Sequence, residues 1–250
     1  VRAIYAEGVV KSNGTVYTPA PFSVQRDMDG DTTEYGYNLA VSYKPIENLA
    51  VAVTYRSKID LNIEGDARLS MSGTPLYNGY TAVSVPAPAV LSLATSYTCN
   101  NGKTTAEFTY DKTYWSAYDK LDFNYSGTLA NAVLTAVFDD PKAKNWVNAE
   151  AFRIGLTHKL NTQWTAMAGF AIDKTPVPDQ TLGFELPDSN ARLYSCGLRY
   201  QTNDNLTIAA AYLFDDKESR TVTNTDPNKP NGTFDNAAAH LVSLGLQYRF

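Results

Sequence analysis

No run of ~18 consecutive apolar residues occurs anywhere in this 250-residue chain, so no transmembrane helix is encoded. Mean hydropathy is −0.30. Histidine is scarce: His158 and His240 are the only two. No serine or cysteine can be given a histidine base from the sequence, which leaves no enzyme motif. Cysteine is equally scarce. Cys99 falls in a turn and Cys196 in mid-strand on an apolar face, so no disulfide is expected and the pair does not fix the compartment. Basic residues do not outnumber acidic ones (net charge −5), which argues against nucleic acid as a partner. No metal or other cofactor is expected. Asp27-Met-Asp-Gly-Asp31 has the alternate carboxylates of a calcium loop, but the later glutamate of that motif is missing. It reads as a glycine turn before a strand. The chain opens at Val1 without an initiator methionine or a signal peptide, which predicts a longer precursor.

What the chain does have is alternation. From Leu49 to Glu64 the residues Leu49, Val51, Val53, Tyr55, Ser57, Ile59, Leu61 and Ile63 form one face, and Arg56, Lys58, Asp60, Asn62 and Glu64 belong to the other. Period two is the signature of a strand with two unlike faces. Similar stretches cover residues 1–11, 33–43, 88–98, 104–115, 151–160, 164–174, 192–201, 206–215 and 240–250. That makes ten predicted strands of the length a tilted membrane strand needs, ~9–11 residues. The connections fall into two classes. Residues 45–48, 99–103, 161–163 and 202–205 are tight polar turns. Residues 12–32, 65–87, 116–150, 175–191 and 216–239 are long. Aromatics mark the strand ends at Tyr43, Tyr97, Tyr114, Trp115, Trp164, Tyr200, Tyr212 and Tyr248, where headgroup-level rings belong.

This pattern predicts an all-β fold, an antiparallel transmembrane β-barrel with short periplasmic turns and long extracellular loops. The last strand ends on Phe250, like the strands that close bacterial outer-membrane barrels, where that end resembles the signal read by the barrel assembly machinery. The expected localisation is the outer membrane, among its lipid and lipopolysaccharide, as a monomer. A soluble β-sandwich also alternates, but without two classes of loop.

With the apolar faces toward lipid, Arg56, Lys58, Asp60, Asn62, Glu64, Glu107, Asp111, Arg153, Asp173, Arg192, Arg199 and Arg249 are expected to face the lumen. Both signs are present. Each charge either cross-links the interior or, in one or two cases, meets a ligand carboxylate. The loops are unusually apolar. Residues 65–87 carry Leu69, Met71, Leu76, Tyr77 and Tyr80. Residues 129–138 could form a short helix with Leu129, Val133, Leu134 and Val137 along one side. Such residues form either a packed lid or a hydrophobic binding surface.

Several segments together resemble the FadL-type family of outer-membrane long-chain fatty acid transporters, which includes toluene and xylene importers. They are Met28–Asp31 with Tyr35–Pro45, Leu49–Lys58 continuing to Glu64-Gly-Asp66, Val85-Pro-Ala-Pro88, Phe152–Leu156, Asp173-Lys-Thr-Pro-Val-Pro-Asp179, Leu186-Pro-Asp188 and Tyr248-Arg-Phe250. The resemblance runs over essentially the whole chain. It implies the C-terminal part of a fourteen-stranded barrel, residues 1–250 forming one barrel region, with the family's N-terminal hatch and first strands lying outside it. It implies passive uptake of hydrophobic molecules, long-chain fatty acids or aromatic hydrocarbons, and no catalysis. It also implies that Leu69, Met71, Leu76, Tyr77 and Tyr80 line an outer collection site and that Lys144, or an inward arginine such as Arg153, meets a ligand carboxylate deeper in. The competing classes are a general diffusion porin or structural barrel and, last, an outer-membrane hydrolase.

Overall fold

The computed structural model describes every residue except 18–20, 130, 185–186 and 225–228. Ala130 of the predicted helix and Leu186 of the Leu-Pro-Asp segment lie outside the described residues. In chain order the strands are β1 (Arg2–Val16), β2 (Phe22–Gly36), β3 (Asn38–Ile46), β4 (Leu49–Arg56), β5 (Ile59–Met71), β6 (Thr74–Ala87), β7 (Val90–Cys99), β8 (Thr104–Thr113), β9 (Lys120–Leu121), β10 (Phe123–Tyr125), β11 (Lys142–Ala143), β12 (Ala149–Lys159), β13 (Trp164–Asp173), β14 (Ala191–Gln201), β15 (Leu206–Lys217), β16 (Arg220–Val222), β17 (Gly232–Phe234) and β18 (Ala238–Tyr248). Every pairing with a described register is antiparallel. The chain divides into two compact units. One comprises Val1–Asn38, Ser57–Ala89 and Ser116–Asn145; the other comprises Leu39–Arg56, Val90–Trp115 and Trp146–Phe250.

The second unit is built on a nine-stranded sheet in the order β18-β15-β14-β13-β12-β8-β7-β4-β3. Its two faces differ as the alternation predicts. One exposes Val53, Leu93, Phe108, Ile154, Leu156, Tyr194, Leu198, Ile208, Leu244 and Leu246, the last two above 70%. So much exposed apolar surface far exceeds the few hundred Å² a soluble monomer shows, so this face looks at lipid. Phe108, Ile154, Phe170, Tyr194, Phe214 and His240 are opposed in a single row across six strands of that face. The rings Phe170–Tyr194 and Phe214–His240 are in contact, with centroids 5.2 and 4.9 Å apart.

The lumenal face carries small residues. One row reads Thr54, Ser92, Asp111, Ala151, Asp173, Ala191 and Lys217 across seven strands. Short side chains at paired positions leave space in front of the wall. Arg192 departs from expectation: it shares the parity of Tyr194 and so belongs to the apolar face. It sits at the strand end, where its guanidinium reaches Glu218 Oε1 at 2.9 Å.

The first unit is a five-stranded sheet, β1-β2-β5-β6-β10, built on two long hairpins. Segments 12–32 and 65–87, expected as loops, are therefore mostly strand. The Asp27–Asp31 segment is extended within β2 and is not a turn. The β5–β6 reversal has Ser72 and Gly73 both at positive φ (49° and 79°), the two-residue turn that matches strand twist. The single strand expected over 49–64 is two. It breaks at Ser57-Lys58, where Ser57 N–H donates to Tyr37 O and Tyr37 N–H donates to Ser57 Oγ, both at 2.9 Å. Lys58 lies in the break itself, and beyond it Asp60, Asn62 and Glu64 belong to the hairpin sheet and not to the nine-stranded wall.

A short helical segment follows. Asn131 caps α1 (Ala132–Leu134), its Oδ1 accepting from Val133 N–H at 2.9 Å, and a π-helical turn continues over Thr135–Asp139. Leu129, Leu134 and Phe138 are buried against Val24 and Leu69, with Met71, Tyr77 and Val137 packed around them.

Candidate ligand sites

The hairpin sheet holds an apolar cleft of about 240 Å³. Gly8 on β1, Gly30 on β2, Gly65 on β5 and Thr81 on β6 are opposed in one row across the four strands. Three side chains are thus missing from adjacent positions. Val10, Met28, Ile63, Val83, Leu121 and Phe123 form the walls around the gap. Carboxylates near it in sequence lie on the opposite face, where Glu7, Asp31 and Glu64 share one row and Asp29 and Asp66 the next.

The residues expected from sequence fall elsewhere. Leu69 is 1% exposed inside the small core beneath the helical segment, and Met71 and Tyr77 pack on that core. The Tyr77 hydroxyl donates to Tyr80 O at 2.8 Å. Leu76 and Tyr80 are exposed. None of the five lines the cleft. Lys144 lies after β11, its backbone N–H donating to Asp119 O at 2.7 Å.

In the second unit a cavity of about 640 Å³ opens on the lumenal face and is lined by Arg56, Asp111, Arg153, Asp173, Lys174 and Lys217, among others. Arg153 forms an ion pair with Asp111. Lys217 Nζ lies 2.7 Å from Asp188 Oδ1, and Thr175 Oγ1 donates to Asp188 Oδ2 at 2.6 Å. Burial pushes the Asp188 carboxyl up, but the bonds from Lys217 and Thr175 outweigh it and hold the group below its ordinary 3.8. Arg220 ties the loop before β14 to the one after β15. Its Nη2 donates to Val177 O and to Asp179 Oδ1 at 2.6 Å each, and its Nη1 to Asp188 O at 2.5 Å. Val177, Leu182 and Val222 close a small core beside it. Among the named cations of this cavity, Arg153 and Lys217 are engaged in ion pairs, which is the cross-linking role.

Neither histidine lines a described cavity. His158 Nδ1 lies 2.8 Å from Thr104 Oγ1, and His240 Nδ1 lies 2.6 Å from the Tyr212 hydroxyl. Among the described residues no group of three or more His, Cys, Asp or Glu is arranged to hold a metal ion.

A lipid-facing apolar surface, a lumenal wall of small and charged residues, and tight turns joining β3–β4, β7–β8, β12–β13 and β14–β15 define an outer-membrane β-barrel. Comparison with known proteins gives the particular family. A profile described as "Outer membrane protein transport protein (OMPP1/FadL/TodX)" matches residues 2–250, and the chain belongs to that family. It is 26% identical to a putative outer membrane protein of Neisseria meningitidis serogroup B, covering 98% of this chain and 59% of that one. It is 23% identical to the long-chain fatty acid transport protein of Escherichia coli K12, over 72% of this chain and 41% of the other. The chain thus spans about half the length of the curated relatives it matches. Among solved structures, a FadL homologue of Pseudomonas aeruginosa superposes with TM-score 0.81 at 19% identity, over 98% of this chain and 62% of that one. The toluene transporter TodX of Pseudomonas putida gives TM-score 0.61 at 17% identity, over 93% and 55%.

Proposed function

We propose that this chain is part of a protein for passive, energy-independent uptake of hydrophobic compounds across the bacterial outer membrane, with long-chain fatty acids or aromatic hydrocarbons as cargo. The observation that carries this reading is the glycine-floored cleft of the hairpin sheet. An apolar notch of about 240 Å³ gains ~25 cal/mol for each Å² of apolar surface it removes from water. The relatives' names, a long-chain fatty acid transport protein and a toluene transporter, support the same class of cargo. Leu76 and Tyr80 offer exposed apolar surface on the β5–β6 hairpin for a first encounter. Lys144 and Arg153 are the carboxylate contacts for an acidic cargo, Arg153 by exchanging its Asp111 partner. Membrane lipid and lipopolysaccharide surround the barrel, Phe250 serves assembly, and the protein works as a monomer without catalysis.

The test is uptake of labelled oleate and labelled toluene by cells with and without the full gene. Faster uptake of at least one compound is expected. Equal uptake of both in the two strains removes the proposal, and steady ion conductance of the purified protein in planar bilayers would replace it with a porin.

A further inference from the structure

At the end of the nine-stranded sheet where the tight turns lie, the charges are mostly of one sign. Lys159 on β12, Thr165 on β13 and Arg199 on β14 are opposed in one lumenal row. The two cations thus stand two strand spacings apart, about 10 Å. Lys103 lies in the turn beside them, its carbonyl accepting from Lys159 N–H at 2.8 Å. Arg249 follows β18, its N–H donating to Asn205 O of the β14–β15 turn at 2.9 Å. The acidic side chain of the turns at 99–103, 160–163 and 202–205 is Asp204, and the β3–β4 turn sets Glu47 beside Lys44. Among the described residues, Lys103, Lys159, Arg199 and Arg249 have neither an ion-pair partner nor a side-chain hydrogen bond. Arg153, Arg192, Lys217 and Arg220 in the same unit each meet a carboxylate.

Unpaired cations along one edge repel one another and attract anions. One exposed contact is weak, but several made to a single polymer reinforce one another. Lipid phosphate is not the partner this geometry favours. At this level the lipid face carries Trp164 and Tyr200, opposed, with ring centroids 4.6 Å apart. Such rings mark headgroup level, and the cations are on the other face. A protein partner would need an apolar interface core. The row of Lys159 and Arg199 instead continues through Ala209 and Gly245, and the next row toward the turns is Gln201, Thr207 and Gln247. Neither offers a large apolar side chain. Cations among small and amide residues suit a hydrated polyanion, and short barrel turns put this edge on the periplasmic side.

We propose that this edge of the sheet docks on a periplasmic polycarboxylate polymer, the peptidoglycan layer, with Lys103, Lys159, Arg199 and Arg249 meeting the carboxylates of its peptide stems. The interaction is independent of the cargo and of the apolar cleft.

The experiment sediments the purified full-length protein with isolated peptidoglycan sacculi. Binding is expected at low salt and is lost near 1 M salt, where the screening length falls to ~3 Å. Sacculi whose carboxyls have been amidated should not bind. Replacing Lys103, Lys159 and Arg199 together by Gln is expected to weaken binding about tenfold, the value of three exposed ion pairs. Arg249 is kept because it adjoins Phe250. Arg199→Gln alone should cost about twofold to fivefold, which keeps the test open should the triple variant fail to fold. Lys11→Gln, which removes an exposed cation of the hairpin sheet, should bind as the unaltered protein does. Failure to sediment with sacculi, the result if lipid phosphate or another part of the protein meets these cations, overturns the proposal. So does equal binding to amidated sacculi, equal loss in Lys11→Gln, or unchanged binding in the triple variant or, should that not fold, in Arg199→Gln.

Discussion

Gly30 and Gly65 face each other across β2 and β5 with no room between them for a side chain. A Cβ on Gly30 would lie 2.5 Å from Glu64 O, and one on Gly65 would meet Asp29 O more closely still. Both would collide with backbone, which cannot rotate away. Gly30→Ala or Gly65→Ala should therefore force the strands apart and destabilise the hairpin sheet by about 1–3 kcal/mol, the usual cost of overpacking. Protease susceptibility of segments 22–36 and 59–71 is the measurement. Gly73→Ala in the β5–β6 turn fails differently, through its positive φ of 79° and not through crowding.

The lipid face makes a second prediction. Ile154 is 56% exposed in the middle of β12. Ile154→Arg puts a charge against hydrocarbon and should cost about 2–4 kcal/mol of folding free energy in lipid vesicles, if the site lies near the midplane. Ser96→Arg is the control. Ser96 is on the other face and directly opposite Glu107, so the new cation finds a partner. A near-neutral result is expected there. Similar penalties at both positions would contradict the orientation.

Arg220 is a single side chain holding two loops. It is 13% exposed and bonds Val177 O, Asp179 and Asp188 O. Arg220→Ala leaves buried carbonyls unpaired at about 1–3 kcal/mol each. Hydrogen exchange over residues 174–184 should accelerate while β14 keeps its protection. Arg220→Lys should not rescue, because one ammonium cannot reproduce the planar fork.

Asp188 predicts a dependence on pH. Its carboxyl is held below its ordinary 3.8 in the folded protein. The stabilisation it gives is complete above that ordinary value and is lost as pH falls through the lower folded-state value. Residues 174–184 and 187–190 should keep their hydrogen-exchange protection at neutral pH and lose it in strong acid, whereas Asp188→Asn should show the loss already at neutral pH. Indifference to both changes would show that Lys217 and Thr175 do not hold the loop through this group.

Lys144 and Arg153 were expected as carboxylate partners. Lys144→Ala should weaken fatty acid binding about tenfold, one charge-assisted contact, and spare toluene. Removing Arg153 also strands Asp111 without its counter-ion, so Arg153→Ala should cost stability as well as binding.

The wall of the second unit was legible because its physics is written along the chain. One face meets lipid and the other does not, so β7, β8, β12, β13, β14, β15 and β18 all appear as alternation, within a few residues of their ends. The break at Ser57 was not. The chain stays extended through it and the side chains keep alternating. What changes is the partner strand, and periodicity carries no information about partners. The hairpin arms were hidden for another reason. Asp27, Asp29 and Asp31 form the polar face of β2, alternating with Val24, Arg26, Met28 and Gly30, but alternate carboxylates around a glycine fit a turn as well as a strand. Nor could the sequence show that three glycines form one row, since that fact exists only in the register. The parity of Arg192 was legible and was misjudged: it stands two positions from Tyr194, on the same face.

The row from Phe108 to His240 runs along the hydrogen-bonding direction of its sheet. Strands in a membrane barrel lean ~35–45° from the normal, so a line perpendicular to them cannot be level. Over five strand spacings of ~4.8 Å it climbs roughly 15 Å. These side chains therefore form a ramp. Each meets lipid at its own depth, from headgroup level down into the acyl chains, and a depth-graded quencher should find them one after another.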